Sequence, residues 1–207
     1  MGLIFKVSKL SFILAVTLAS CTRPETTVAQ VPREQIKVTT SIFTVIYSET
    51  KEQPITLTYR SSNRPKNVDR GSMNFYKVNG YHTSDNADYY RNVWDKGHLA
   101  PAATFSDSRE NLKQTFSYLN CALQNQYLNR GAWRLLEQEE RVWDDEQELA
   151  VTITVKFSDS ILPTGATIPS RFVKHIKFTN SNVYKCYDFP NERPTKDWGE
   201  YQVQHNH

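Results

Sequence analysis

The chain has 207 residues, which fits one domain of ordinary size together with a short processed segment at the N-terminus. Hydrophobic residues make up 39% of the chain and the mean hydropathy is −0.59, so the composition is that of a water-soluble domain with enough apolar mass for a core. Lys and Arg number 25 against 22 Asp and Glu. This near balance excludes overall charge as the source of attraction to a polyanion, which must come from local patches.

The N-terminal segment has the pattern of a signal peptide. An apolar run from Leu10 to Ala19 follows Lys6 and Lys9 and is too short to span a membrane as a helix. It leads into Leu-Ala-Ser-Cys at residues 18–21, which resembles a bacterial lipobox and implies cleavage before Cys21 and lipid attachment to its sulfur. The alternative is a plain secretory signal in which Cys21 is incidental.

We therefore expect residues 1–20 to be a signal peptide and residues 21–34 a linker. The protein would be exported as an outer-membrane-anchored lipoprotein, periplasmic or extracellular, that touches the membrane only through lipid on Cys21. Two further cysteines, Cys121 and Cys186, would lie in an oxidising compartment. The sequence leaves two alternatives for them, a disulfide or two buried free thiols.

The rest of the chain predicts one α+β domain over residues 35–200, with residues 201–207 as a flexible tail. Runs rich in β-branched and aromatic residues, or alternating in polarity, predict strands. They cover residues 42–47, 55–59, 115–120, 150–157, 169–178 and 182–189. Apolar residues at helical spacing predict the longest helix over residues 128–148, opened by Asn129. Its many acidic residues are expected to form a solvated face.

The residues that carry chemistry fall into three stretches. Asp95-Lys96-Gly97-His98 precedes small residues that allow close approach, and a histidine there suits acid–base work. An amide oxygen such as that of Asn129 suits Mg²⁺, which keeps most of its waters and needs few protein ligands. Glu137 follows Asn129 by eight residues, roughly 80° around a continuous helix, so both side chains can face one cleft.

In order and spacing, the three stretches resemble the nonspecific DNA/RNA endonucleases of the ββα-metal class, the group that contains endonuclease G. That family has a D-R-G-H motif followed by small residues, then T-F-x-x-x-N-x-x-P-Q, then L-N-x-x-A-W-x-x-L-E. This chain has DKGHLAPAATF, TFSYLNCALQ and LNRGAWRLLE, and a weaker likeness extends from about residue 42 to 190. The resemblance implies a mixed or antiparallel central sheet flanked by helices, with a ββα-metal finger at the active site.

The resemblance also implies roles for individual residues. His98 would be the general base, Asn129 the direct ligand of Mg²⁺ (Mn²⁺ being an alternative ion), and Glu137 the partner of a metal-bound water. Asn120 would hold the loop that follows His98, and Asp95 and Gln124 would support the site. The family's further arginine would be Arg64 or Arg70, between which the sequence does not choose.

Two departures from the family pattern bear on activity. Lys96 stands where the family has Arg, so a point charge replaces a bidentate fork to phosphate. Leu123 stands where the family has Pro. The expected function is Mg²⁺-dependent hydrolysis of DNA and RNA without base specificity. The alternative is a catalytically impaired nuclease fold that binds nucleic acid or a partner, and a homodimer is left open.

Overall fold

The computed structural model describes residues 31–204. The predicted signal peptide, Cys21 and residues 205–207 of the predicted tail lie outside this range. Within it, no helix is both long and apolar enough to span a membrane.

The described part of the chain is built on a seven-stranded antiparallel sheet and a separate two-stranded one. The strands are β1 (Ile36–Thr39), β2 (Phe43–Ser48), β3 (Gln53–Ser61), β4 (Trp94–His98), β5 (Cys121–Asn125), β6 (Leu149–Ile161), β7 (Thr167–Phe178), β8 (Tyr184–Pro190) and β9 (Gln202–Val203). The large sheet has the order β1-β2-β3-β6-β7-β8-β9, and β4 pairs with β5 alone. The α+β class is confirmed.

Polarity alternation builds the large sheet. On β6, Val151, Ile153 and Val155 are buried and alternate with half-exposed residues, which turns one face to the core. The predicted strands over residues 42–47, 55–59, 150–157, 169–178 and 182–189 are confirmed, with every end within four residues of the observed one. Lys174 on β7 breaks the pattern, because it is a charged residue on the buried face.

The predicted strand over residues 115–120 is wrong. This stretch holds the end of helix α1 (Arg109–Thr115) and a 3₁₀ turn (Tyr118–Asn120), and the strand β5 begins only at Cys121. The Ser108 side chain caps α1 by accepting a hydrogen bond from the Asn111 N–H. The apolar run is buried all the same, which is why its periodicity misleads.

The predicted long helix is real but interrupted. It consists of α2 (Gln126–Leu128), a π-helical turn (Asn129–Trp133) and α3 (Arg134–Glu146). Gly131 has non-helical backbone angles, φ −108° and ψ −113°, and kinks the helix between Asn129 and Glu137. The angle of a continuous helix therefore does not apply to this pair.

The expected solvated acidic face is wrong at two positions of α3. Glu140 and Asp144 are each 1% exposed. Glu140 accepts hydrogen bonds from the Lys174 ammonium (2.6 Å) and the Tyr59 hydroxyl (2.6 Å). Asp144 accepts from Lys66 (2.9 Å) and from Ser61. The helix thus buries carboxylates against specific partners across the sheet.

The two ends of the described chain contact the fold. Arg33, in the predicted linker, forms a bidentate pair with Glu49 and holds the pKa of that carboxyl at about 2. At the other end, Gln202 and Val203 pair with β8, so this part of the predicted tail is a strand. Cys121 and Cys186 are both buried free thiols and form no disulfide.

Candidate active site

A strand–strand–helix unit brings the three stretches together. β4 and β5 are antiparallel, with Asp95 opposite Gln124 and His98 opposite Cys121, and the interrupted helix starts directly after β5. The segment between the two strands contains α1 and returns the chain to the same hairpin. The arrangement therefore places His98, Gln124 and Asn129 on one small substructure.

His98 is held between two aromatic rings at the end of β4. Its ring centroid lies 4.8 Å from that of Phe75 and 4.9 Å from that of Phe116. Its Nε2 is buried and has no hydrogen-bond partner among residues 31–204. Burial, together with the charge of Arg70, lowers the pKa of His98 to about 3. The ring is therefore neutral at ordinary pH, and the same burial weakens it as a proton acceptor in this structure.

Asp95 orients the Asn129 amide. Asn129 Nδ2 donates to Asp95 Oδ2 (2.9 Å), and the Arg130 guanidinium binds the same carboxylate at 2.8 and 2.6 Å. Because an ionised carboxylate only accepts hydrogen bonds, the amide nitrogen must face Asp95. The amide oxygen of Asn129 is thereby directed away from Asp95 and left to act as a ligand.

Glu137 lies one turn of α3 before the buried Glu140. Its side chain is half-buried, and Oε1 lacks a hydrogen-bond partner in the described chain. Burial raises the pKa of Glu137 to about 7, against the opposing effect of the Lys174 ammonium. Such a carboxyl is most readily ionised when a cation is bound beside it.

Asn120 ties down the loop after His98. This fully buried side chain accepts from the Ala100 N–H (2.7 Å) and donates to the carbonyls of Ala100 (2.9 Å) and Thr115 (2.8 Å). These are the contacts that a loop-holding role requires, and the role itself stays a prediction.

Gln124 is fully buried, and neither atom of its amide has a hydrogen-bond partner within the described residues. Its side chain lies against Gly97. A Cβ at Gly97 would come within 2.3 Å of Gln124 Oε1, so only glycine fits beside it. The glycine of the DKGH motif is thus explained by close packing.

The two candidate arginines differ in their surroundings. Arg64 pairs with Asp107 (3.5 Å) and lies over the Phe105 ring. Arg70 lies 4.9 Å from the centroid of Phe116, the ring that also contacts His98, and its charge lowers the pKa of His98. Of the two candidates, Arg70 is therefore the arginine whose charge acts on His98.

Lys96 lies among aromatic side chains that were not predicted from the sequence to belong to the site. Its ammonium is 5.4 Å from the ring of Tyr118 and 5.7 Å from those of Phe75 and Tyr89, and it donates to Asn86 Oδ1. Phe116 and Arg130 were missed as well. Only Arg130 carried a local signal, its position next to Asn129.

A bound Mg²⁺ fits these residues. No group of three or more His, Cys, Asp or Glu suited to holding a metal occurs in the part of the chain that the structure describes. A site with one amide oxygen as its direct protein ligand would not form such a group, because Mg²⁺ takes few protein ligands. The Asn129 amide oxygen, which faces away from Asp95, would be that ligand. Glu137 Oε1, which has no partner in the described chain, would accept a hydrogen bond from a water bound to the ion.

Comparison with known proteins agrees with this arrangement. The family model for DNA/RNA non-specific endonucleases matches residues 23–207. The chain belongs to this family. Mitochondrial endonuclease G is 40% identical over 75 residues in Bos taurus and 42% identical over 64 residues in Homo sapiens. The mitochondrial nuclease EXOG of Danio rerio is 34% identical over 83 residues.

These alignments cover 35%, 31% and 40% of this chain but only 25%, 22% and 21% of the relatives. The chain therefore matches a quarter or less of the length of the curated relatives. A crystal structure of the EndoG/EndoGI complex superposes with a TM-score of 0.69 at 21% identity, over 81% of this chain and 80% of the other. This likeness shows that the endonuclease fold is shared.

Proposed function

We propose that this chain is a Mg²⁺-dependent nuclease that hydrolyses DNA and RNA phosphodiester bonds without base specificity. The observation that carries the proposal is the neutral ring of His98, whose buried Nε2 has no partner in the described chain, on the same strand–strand–helix unit as the oriented amide of Asn129. Membership of the endonuclease family supports the substrate class.

In the proposed reaction, His98 takes a proton from a water molecule that attacks phosphorus. A new P–O bond forms as the bond to the 3′ oxygen breaks, and the leaving oxygen takes a proton from solvent. The products carry a 5′ phosphate and a 3′ hydroxyl.

Asn129 would hold the ion through its amide oxygen, with Glu137 bordering it. When bound, Mg²⁺ would supply positive charge against the negative charge of the phosphate. Arg70 and Lys96 add positive charge, which stabilises the more negative transition state. These groups recognise phosphate and not base edges, which is the physical basis for nonspecific cleavage.

A plasmid-nicking and RNA-cleavage assay tests this proposal. Wild-type protein should cleave both substrates with Mg²⁺ or Mn²⁺ and neither with EDTA. His98→Ala should lose activity by about 10²- to 10⁴-fold, the usual share of a general base. His82→Ala is the matched control, because His82 is half-exposed and pairs with Glu52 (2.9 Å).

Unchanged nicking by the His98→Ala protein would defeat the mechanism. If wild-type protein binds nucleic acid but cleaves neither substrate, the impaired-nuclease alternative replaces it.

We also propose that the protein is exported and anchored through lipid on Cys21, on the basis of the lipobox-like residues 18–21. Fatty-acid labelling of the expressed protein should be lost in Cys21→Ala. Labelling that persists in this variant would contradict the anchor.

A further inference from the structure

The Lys96 ammonium lies in a cage of four side chains from three separate segments. Phe75 comes from the loop after β3, Asn86 and Tyr89 from a 3₁₀ helix (Asn86–Tyr89), and Tyr118 from the turn before β5. Three ring centroids at 5.4–5.7 Å are within the range of cation–π attraction.

The walls of this cage are fixed by contacts of their own. The Tyr118 hydroxyl donates to Asn86 Oδ1 (2.8 Å), the same oxygen that accepts from Lys96. The Tyr89 hydroxyl contacts the buried Cys121 sulfur (3.2 Å), and its ring stacks on Tyr118 at 6.3 Å. The cage is thus assembled before any substrate arrives.

Phe75 is held equally firmly by its neighbour in the chain. The Tyr76 N–H donates to the Phe116 carbonyl (3.0 Å), and the Tyr76 carbonyl accepts from the Tyr118 N–H (3.1 Å). These two backbone hydrogen bonds fix the segment of the loop that carries the Phe75 ring.

The cage is joined to the proposed base. Lys96 and His98 are two residues apart on β4, so they lie on the same face, and Phe75 contacts both. A cavity of 380 Å³, lined by Phe75, Lys77, Asp85, Asn86 and Tyr118, adjoins the cage. Asp85, the acid of this cavity, pairs with Lys77 (2.9 Å).

We propose that Phe75, Asn86, Tyr89 and Tyr118 are positioning residues that hold Lys96 beside His98 as a fixed charge that forms no ion pair among the described residues. Aromatic faces attract an ammonium without neutralising it, whereas a carboxylate would cancel its charge. A lysine side chain has four flexible carbons, and the cage removes this freedom in advance, which the rigid guanidinium of arginine needs less. This inference rests on the proposed nuclease function.

Kinetics in two backgrounds test the cage. Asn86→Ala, at an exposed position, removes a hydrogen-bond acceptor of Lys96, and Tyr118→Leu removes a cation–π contact. Each variant should lower kcat by roughly three- to thirtyfold, with little change in KM. In a Lys96→Met background, the same substitutions should have no further effect. Tyr118→Phe, which keeps the ring, should retain more activity than Tyr118→Leu.

Tyr90→Leu is the matched control, since Tyr90 is 67% exposed and lies over Arg91. Tyr118 is buried, so its variants are first compared with wild type by thermal unfolding. The ring-current shift of the Lys96 ε-methylene protons, measured by NMR, should move toward the free-lysine value in Tyr118→Leu whether or not the protein cleaves.

Equal losses in the wild-type and Lys96→Met backgrounds would overturn the inference while leaving the nuclease function intact. Unshifted ε-methylene protons in wild-type protein would overturn it as well. A wild-type protein that does not cleave would instead overturn the proposed function on which the inference rests.

Discussion

Glu137 and Glu140 lie one turn apart on α3, and the fold treats them in opposite ways. Glu140 is buried and accepts from both Lys174 and Tyr59. Glu137 has an oxygen with no partner in the described chain, as do the Gln124 amide and His98 Nε2. Buried polar atoms without a partner in the described chain also occur outside the proposed site, on Thr104, Trp133, Arg141 and Gln147, so the contrast that the structure shows is between the two glutamates themselves. Unpaired buried polar atoms cost stability.

The largest effect is expected where a satisfied charge loses its partner. Glu140→Ala leaves the Lys174 ammonium, which is 0% exposed, without its carboxylate. We expect the free energy of unfolding in urea to fall by about 3–5 kcal/mol. The double variant Glu140→Met/Lys174→Met should recover part of this loss, because the unpaired ammonium is gone, but the Tyr59 hydroxyl loses its acceptor and Glu137 loses a neighbouring cation. A Glu140→Ala protein as stable as wild type would show that the pair is not structural.

Lowering the pH should reduce the free energy of unfolding, because His98 in the proposed site resists protonation in the folded protein. The pKa of His98 is about 3 in the folded protein and about 6.5 in the unfolded chain, so between these values only the unfolded chain binds the proton. Stability is therefore lost as pH falls from 6.5 toward 3, by roughly 1.4 kcal/mol for each pH unit in this window.

This pH effect is measured by urea unfolding at pH 7, 5 and 4. In His98→Asn, the loss of stability should be smaller by this amount. Parallel pH dependence in the two proteins would contradict the lowered pKa.

The two candidate arginines, Arg70 and Arg64, should differ in how much their replacement lowers activity. Arg70→Ala should lower kcat/KM by about ten- to a hundredfold, because it removes a charge beside His98. Arg64→Ala, which breaks a contact with Asp107, should change kcat/KM little. Nicking rates of the two variants check this, and the reverse order would assign the catalytic charge to Arg64.

The smallest effect concerns two fully buried glutamines. Gln124→Met removes an amide without partners in the described chain and should stabilise the fold by about 1 kcal/mol while lowering activity. Gln53→Met should instead destabilise it by a similar amount, because Gln53 accepts from the Leu123 N–H (3.0 Å) and donates to the Glu52 carbonyl (2.7 Å). Thermal unfolding distinguishes the two, and a loss of stability in both would remove the contrast.

Local pattern predicted five of the seven strands of the large sheet, which are rich in β-branched and aromatic residues or alternate in polarity, but not the short edge strands β1 and β9. It failed at residues 115–120, where a short apolar run is buried without being a strand. It also predicted one helix over residues 128–148, because apolar spacing does not register the kink at Gly131. The proposed site residues came from the resemblance of three short stretches, in their order and spacing, to the motifs of the endonuclease family.

By itself, the sequence determined the α+β class and the order of the DKGH, TFSYLN and LNRGAW stretches, since both depend on neighbours along the chain. The tertiary structure decided that Glu140 is buried against partners while Glu137 keeps an oxygen without a partner in the described chain. It also decided that the charge of Arg70 acts on His98. The surroundings of Lys96 were decided in the same way, and they consist of Phe75, Asn86, Tyr89 and Tyr118. These outcomes depend on side chains tens of residues apart, and burial and charge are set by what folding brings together in space.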